Sequence, residues 1–104
     1  MHPKLEILKA KLAAMNSTFA HYWDASCETA LNSAITQGVT AHDLRGAHAF
    51  IQSTLEKLGG ANLSSRQIVL LVAILKIDEM LDKGLSIKDE LYVISHGQLR
   101  ENQL

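Results

Sequence analysis

The chain has 104 residues, 47% apolar and 20% charged, with a formal net charge of −1. That is the length of one domain and an ordinary globular composition, and the missing basic excess argues against a general nucleic-acid or anionic-membrane binder. A single cysteine excludes an intramolecular disulfide, the first residues lack the apolar centre of a secretory leader, and no apolar run approaches the roughly 18–20 residues that span a bilayer. A cytoplasmic protein without membrane contact is the expectation.

Pro3 suits the first position of a helix, where its missing N–H costs nothing. Apolar residues then fall at Leu5, Leu8, Leu12, Met15, Phe19, Trp23, Cys27, Leu31 and Ile35, before Gly38. Every step is three or four, which is one continuous helical stripe. Asn16-Ser17-Thr18 can cap a new helix, so either one long helix bends there or two helices meet there. The stripe keeps phase across the gap, which favours the long helix. It would measure about 50 Å at ~1.5 Å per residue. A globule of this size has a gyration radius of ~13 Å, so the helix would overhang and its stripe would want a partner. Phe19, Tyr22 and Trp23 lie close together on it and read as core packing or as an aromatic anchor for a partner. Cys27, on the same stripe, reads as a small hydrophobe.

Thr40 and Asp43 form a capping box that predicts a second helix running to about Leu58, with Leu44, Ala47, Ile51, Leu55 and Leu58 inward. Gly46, Ala47 and Ala49 would let another backbone approach. Gly59-Gly60 ends this helix, and the short loop after it makes the second and third helices expected antiparallel neighbours.

The stretch from Ile68 to Leu75 is an unbroken apolar run, followed by Ile77, Met80 and Leu81. Ser64 and Gln67 make a capping box before it, Leu63 and Ile68 suit a hydrophobic staple, and Gly84 suits a C-terminal cap. A helix from about Ser65 to Lys83 follows. Its first two turns carry no polar face, so other helices or a second copy of the chain must cover every side. The acids Asp78, Glu79 and Asp82 read as a solvated face. Beyond Gly84, Ser86 and Asp89 open a last helix with Ile87, Leu91 and Ile94 on one face, ending near His96-Gly97. Residues 1–97 form one helical domain, and 98–104 a frayed tail.

No chemistry-bearing motif emerges. The five histidines show no i, i+4 pair, and Cys-x-x-Cys, His-Glu-x-x-His, Gly-x-Ser-x-Gly and the phosphate-loop pattern are missing from the sequence. Catalytic, cofactor-binding and metal-ligating residues are therefore expected to be none. One stretch, Leu63-Ser64-Ser65-Arg66-Gln67 with the apolar run and then Gly84-Leu85-Ser86-Ile87-Lys88-Asp89, resembles the opening of response-regulator-type helix-turn-helix domains. The resemblance covers about a third of the chain. It implies a recognition helix at 98–104, where Arg100 is the one cation, and its first helix is over a turn longer than in that family.

The expected fold is all-α, a small bundle of four helices, or five if the first breaks, and dimeric. The expected function is a small non-enzymatic regulatory or adaptor protein working through protein–protein contacts. Phe19, Tyr22, Trp23 and Tyr92 are the candidate contact residues. The alternative is a DNA-binding transcription regulator using the C-terminal helices.

Overall fold

The apolar run folds as expected. In the computed structural model, which describes residues 2–89 other than Asn16, it forms α5, Ser65–Asp82. The Ser64 hydroxyl accepts from the Gln67 N–H, and the Gln67 side chain accepts from the Ser64 N–H at 2.8 Å, a complete capping box. At the other end Gly84 takes φ +70°, and Leu85 N–H returns to the Met80 carbonyl at 2.9 Å. This is the Schellman closure that glycine permits. Leu71 and Ile74 are wholly buried, with Ile68, Leu70, Leu75 and Ile77 beside them.

Ahead of α5 come α1 (Pro3–Met15), α2 (Ser17–Tyr22), α3 (Ala25–Gln37) and α4 (His48–Lys57). The fold is all-α, with five helices and no strand among the described residues. The long first helix is thus replaced by three. α1 ends at Met15 and α2 begins at Ser17. The break before α3 is set by Asp24, whose extended backbone and side chain cap α3, its Oδ1 accepting the Cys27 N–H at 3.0 Å. The inward stripe still meets in one core although it runs over three helices. Leu5, Leu12, Phe19, Cys27 and Leu31 are buried in one core. The molecule measures 31 × 30 × 23 Å, so no helix among the described residues overhangs and that ground for a dimer is gone.

Three further expectations change. The Thr40–Asp43 box forms reciprocally, yet it closes only a turn. Gly46 follows at φ +109°, a conformation that stops propagation, and α4 begins at His48. Gly46 serves this turn and not a close backbone approach, since nothing lies within 4 Å of where its Cβ would be, and Ala47 and Ala49 are exposed. The close approach is at Gly60, whose Cβ would meet Ala30 Cβ at 2.8 Å. Finally, α5 packs against α1, α2 and α3. It meets α4 less closely, leaving a cleft between Ile51 and the Val69–Val72 side of α5.

The late acids of α5 are not a solvated face either. Asp78 is buried and accepts the His2 N–H at 2.7 Å; Glu79 accepts the Ala41 N–H at 2.9 Å. Each pins a segment to α5, and Asp82 alone of the three stays exposed. The expected course of the last helix beyond Asp89, with Leu91, Tyr92 and Ile94, and the expected tail at 98–104 lie outside the described residues.

Candidate functional site

The aromatic residues meet where α2 ends. Phe19 is core, 1% exposed, and Trp23 stacks on it with ring centroids 5.5 Å apart and planes 12° from parallel. Tyr22 and Trp23 are half-buried. Both are held from several directions. The Trp23 indole N–H donates to Glu28 Oε2 at 2.7 Å, and Lys9 Nζ donates to Glu28 Oε1 at 2.6 Å while lying 5.7 Å from the Trp23 ring centroid. The Arg66 guanidinium donates to the Tyr22 hydroxyl and stands over its ring, with Cζ 5.0 Å from the centroid. Gln67 Nε2 donates to the Tyr22 carbonyl at 3.0 Å and to Asp24 Oδ2 at 2.8 Å. Four helices therefore converge on two aromatic side chains.

The electrostatics follow from these bonds. Burial pushes the Glu28 carboxyl up, but the Lys9 ammonium and the Trp23 indole N–H outweigh it and hold the group below its ordinary value. The Cys27 backbone N–H is the main cause that lowers Asp24, with the Gln67 amide adding to it. Cys27 goes the other way. Burial pushes its thiol up to about 11, the reverse of what a nucleophilic cysteine needs.

Lys9, Glu28, Arg66 and Gln67 were not among the sequence candidates for this corner. Lys9 carried a legible signal. It stands four after Leu5 and three before Leu12, hence on the inward stripe of α1, and it is 6% exposed. Tyr92 lies outside the described residues and cannot be placed against Tyr22 and Trp23.

A second surface lies on the outer side of α5. Two adjoining depressions, of about 540 and 360 Å³, share Val72 and Lys76. Val69, 50% exposed, lines one, and Leu85, 54% exposed, lines the other. Among the described residues, nothing covers this side of the helix with no polar face. Arg45, Lys76, Lys83 and His42 surround the larger depression, together with Glu79.

Among the described residues no three His, Cys, Asp or Glu side chains gather to hold a metal, and no helix is long and apolar enough to cross a membrane. Comparison with protein-family models, curated proteins and solved structures finds no match to this chain.

Proposed function

We propose that this is a small non-enzymatic regulatory or adaptor protein, homodimeric, acting through protein–protein contacts in the cytoplasm. The observation that carries the reading is the Tyr22–Trp23–Arg66 corner. Tryptophan, tyrosine and arginine are the residue types that dominate binding hot spots. Here one of each sits side by side, and the two aromatic residues are partly exposed. Hydrogen bonds donated by Arg66 and Gln67 to Tyr22, and by Trp23 to Glu28, fix them before any partner arrives. A preordered contact loses less side-chain entropy on binding.

Sedimentation and affinity capture from the native host test this together. The wild type is expected to sediment as a dimer at high micromolar concentration and to retain a specific partner. Tyr22→Ala and Trp23→Ala should each weaken association by more than about 1 kcal/mol, as hot-spot truncations do, with helical circular dichroism kept. A folded wild-type monomer overturns the homodimer. A folded double variant that holds the same partner as tightly as wild type overturns the corner as contact surface.

A further inference from the structure

The outer side of α5 is a second surface, with no lining residue in common with the Tyr22–Trp23 corner. We propose that it takes an amphipathic helix of a partner protein, acidic at one end, laid in the trough between α5 and the 41–51 segment.

Shape comes first. Val69, Val72, Lys76, Met80 and Lys83 line the two depressions. They step by three or four, so they share one face of the helix. From Val69 to Lys83 that face is about 21 Å long at ~1.5 Å per residue, about four turns of a second helix. Leu44 and Ile51 line the depression at the Val69 end, and Ala41 and Arg45 the one at the Lys83 end. This wall is held in place. Glu79 Oε2 accepts the Ala41 N–H at 2.9 Å, and the Thr40–Asp43 box closes the turn around it. Val69 in one depression and Leu85 in the other are half-exposed, whereas a small-molecule site encloses most of its ligand. An open apolar trough of this length suits the apolar face of a helix.

Charge selects which helix. At the Lys83 end Arg45, Lys76 and Lys83 face one carboxylate, Glu79, and that carboxylate already accepts the Ala41 N–H. At the Val69 end the lining is apolar apart from Lys76, where the two depressions join. The chain as a whole carries −1, so the basic cluster is local to this trough. The trough is thus apolar at one end and cationic at the other. Its complement is a helix with apolar anchors along one face and carboxylates clustered at one end. Complementary rim charges of this kind set partner choice.

The test uses the full chain, uniformly nitrogen-15-labelled, and three synthetic helical peptides of about four turns. All carry leucine at i, i+4, i+7 and i+11 and differ only at three flanking positions near one end, which are Glu, Gln or Lys. The Glu peptide is expected to shift the amides of Val69, Val72, Ala73, Lys76 and Met80. It should bind roughly tenfold tighter than the Lys peptide, ~1.4 kcal/mol spread over three rim pairs, and added salt should narrow the gap. Arg45 and Lys83 are exposed, so Arg45→Glu with Lys83→Glu should keep the fold and reverse the order. The charge series on the wild type stands even if that variant misfolds. Equal affinity for the Glu and Lys peptides overturns the proposal, as does no binding by the intact chain at high micromolar peptide. Shifts at the Trp23 indole N–H in place of the α5 amides move the contact to the corner and overturn it. So does dodecanoate below its micelle-forming concentration moving the same amides and displacing the Glu peptide, because the site then belongs to a small amphiphile. Shifts of these amides on dilution without peptide also overturn it, because the occupant is then a second copy. Failure of the corner as a contact surface leaves all these outcomes unchanged.

Discussion

Glu28, on α3, grips Lys9, on α1, through an ion pair 2.6 Å long that leaves the lysine side chain only 7% exposed. The other Glu28 oxygen holds Trp23. Losing this carboxylate would take the 2.6 Å partner away from a buried ammonium, whose contact to Glu6 is longer, 3.5 Å. Glu28→Ala is therefore expected to cost about 1–3 kcal/mol, the penalty for stranding a buried polar group. Lys9→Met, which keeps the hydrocarbon stem and removes the charge, should cost less. Urea unfolding of the two variants measures the order, and equal losses would show that the pair is not desolvated.

The same carboxylate makes the corner acid-sensitive. Glu28 is held below its ordinary value in the fold, so its contribution to stability is full above the unfolded-state value of about 4.3. It is lost as the pH falls through the lower, folded-state value. Asp24 is lowered too and behaves with the same sign. The protein has one tryptophan, so intrinsic indole fluorescence reports this site alone. A fluorescence transition below the ordinary glutamate range is expected for the wild type, and it should be flattened in Glu28→Gln. An identical transition in both proteins would place its cause elsewhere.

The centre of the fold also makes a plain prediction. Leu71 is fully buried in the middle of α5, where truncation removes transfer energy and leaves a cavity. Leu71→Ala should cost roughly 2–5 kcal/mol, a large share of a total stability of about 5–15 kcal/mol. Thermal melting checks it, and an unchanged midpoint would remove α5 from the core. Val69→Ala, at a position 50% exposed, should cost far less.

How much of this was legible in the sequence depended on the range of the interaction. The bounds of α5 were, because Ser64, Gln67 and Gly84 act within a turn of the helix they end. The inward stripe was too, since spacing reports the buried face. The start of α2 at Ser17 carried a signal in the capping stretch Asn16-Ser17-Thr18, which the unbroken phase outweighed, and the start of α3 was not legible. Asp24 is a good cap, but an apolar pattern that stays in phase hides the turn beneath it. Thr40 and Asp43 were legible as a box, while the length of what they cap was decided by Gly46 at φ +109°. In the corner, Tyr22 and Trp23 stood out as residue types. Lys9 was legible as a residue on the inward stripe, but the pairings were not, because Lys9 meets Glu28 across 19 positions and Arg66 meets Tyr22 across 44. No local pattern encodes such pairs.

Two glycines should respond to the same substitution for different reasons. A Cβ at Gly60 would lie 2.8 Å from Ala30 Cβ, 2.9 Å from Leu63 Cδ1 and 3.2 Å from the Leu55 carbonyl oxygen. Gly60→Ala must therefore push α3 and the loop apart, at about 1–3 kcal/mol for overpacking. At Gly84 nothing lies within 4 Å, and the cost is the left-handed backbone at φ +70°, about 1–2 kcal/mol. The two separate by a second change. Ala30→Gly should rescue Gly60→Ala by opening space and do nothing for Gly84→Ala. Failure of that rescue would place the clash at Leu63 Cδ1 and the Leu55 carbonyl oxygen instead of at Ala30.

Gln67 offers the sharpest contrast between a local rule and the three-dimensional contacts. Capping boxes accept glutamate as readily as glutamine at this position, so the sequence rule makes Gln67→Glu neutral. The structure makes it harmful. Only the Oε1 end of Gln67 serves the box, by accepting the Ser64 N–H. The Nε2 end donates to the Tyr22 carbonyl and to Asp24 Oδ2, and a carboxylate has no hydrogen to give either. It would also face the Asp24 carboxylate at hydrogen-bond distance. Gln67→Glu is expected to destabilise by about 1–3 kcal/mol at neutral pH, in line with leaving such groups unmatched. The deficit should shrink as the pH falls, because protonating either carboxyl restores a donor and removes the repulsion. Urea midpoints at neutral and mildly acidic pH measure both parts. If the variant matches wild type at neutral pH, the bridge from α5 to the α2–α3 turn is not contributing to stability, and Gln67 is a capping residue alone.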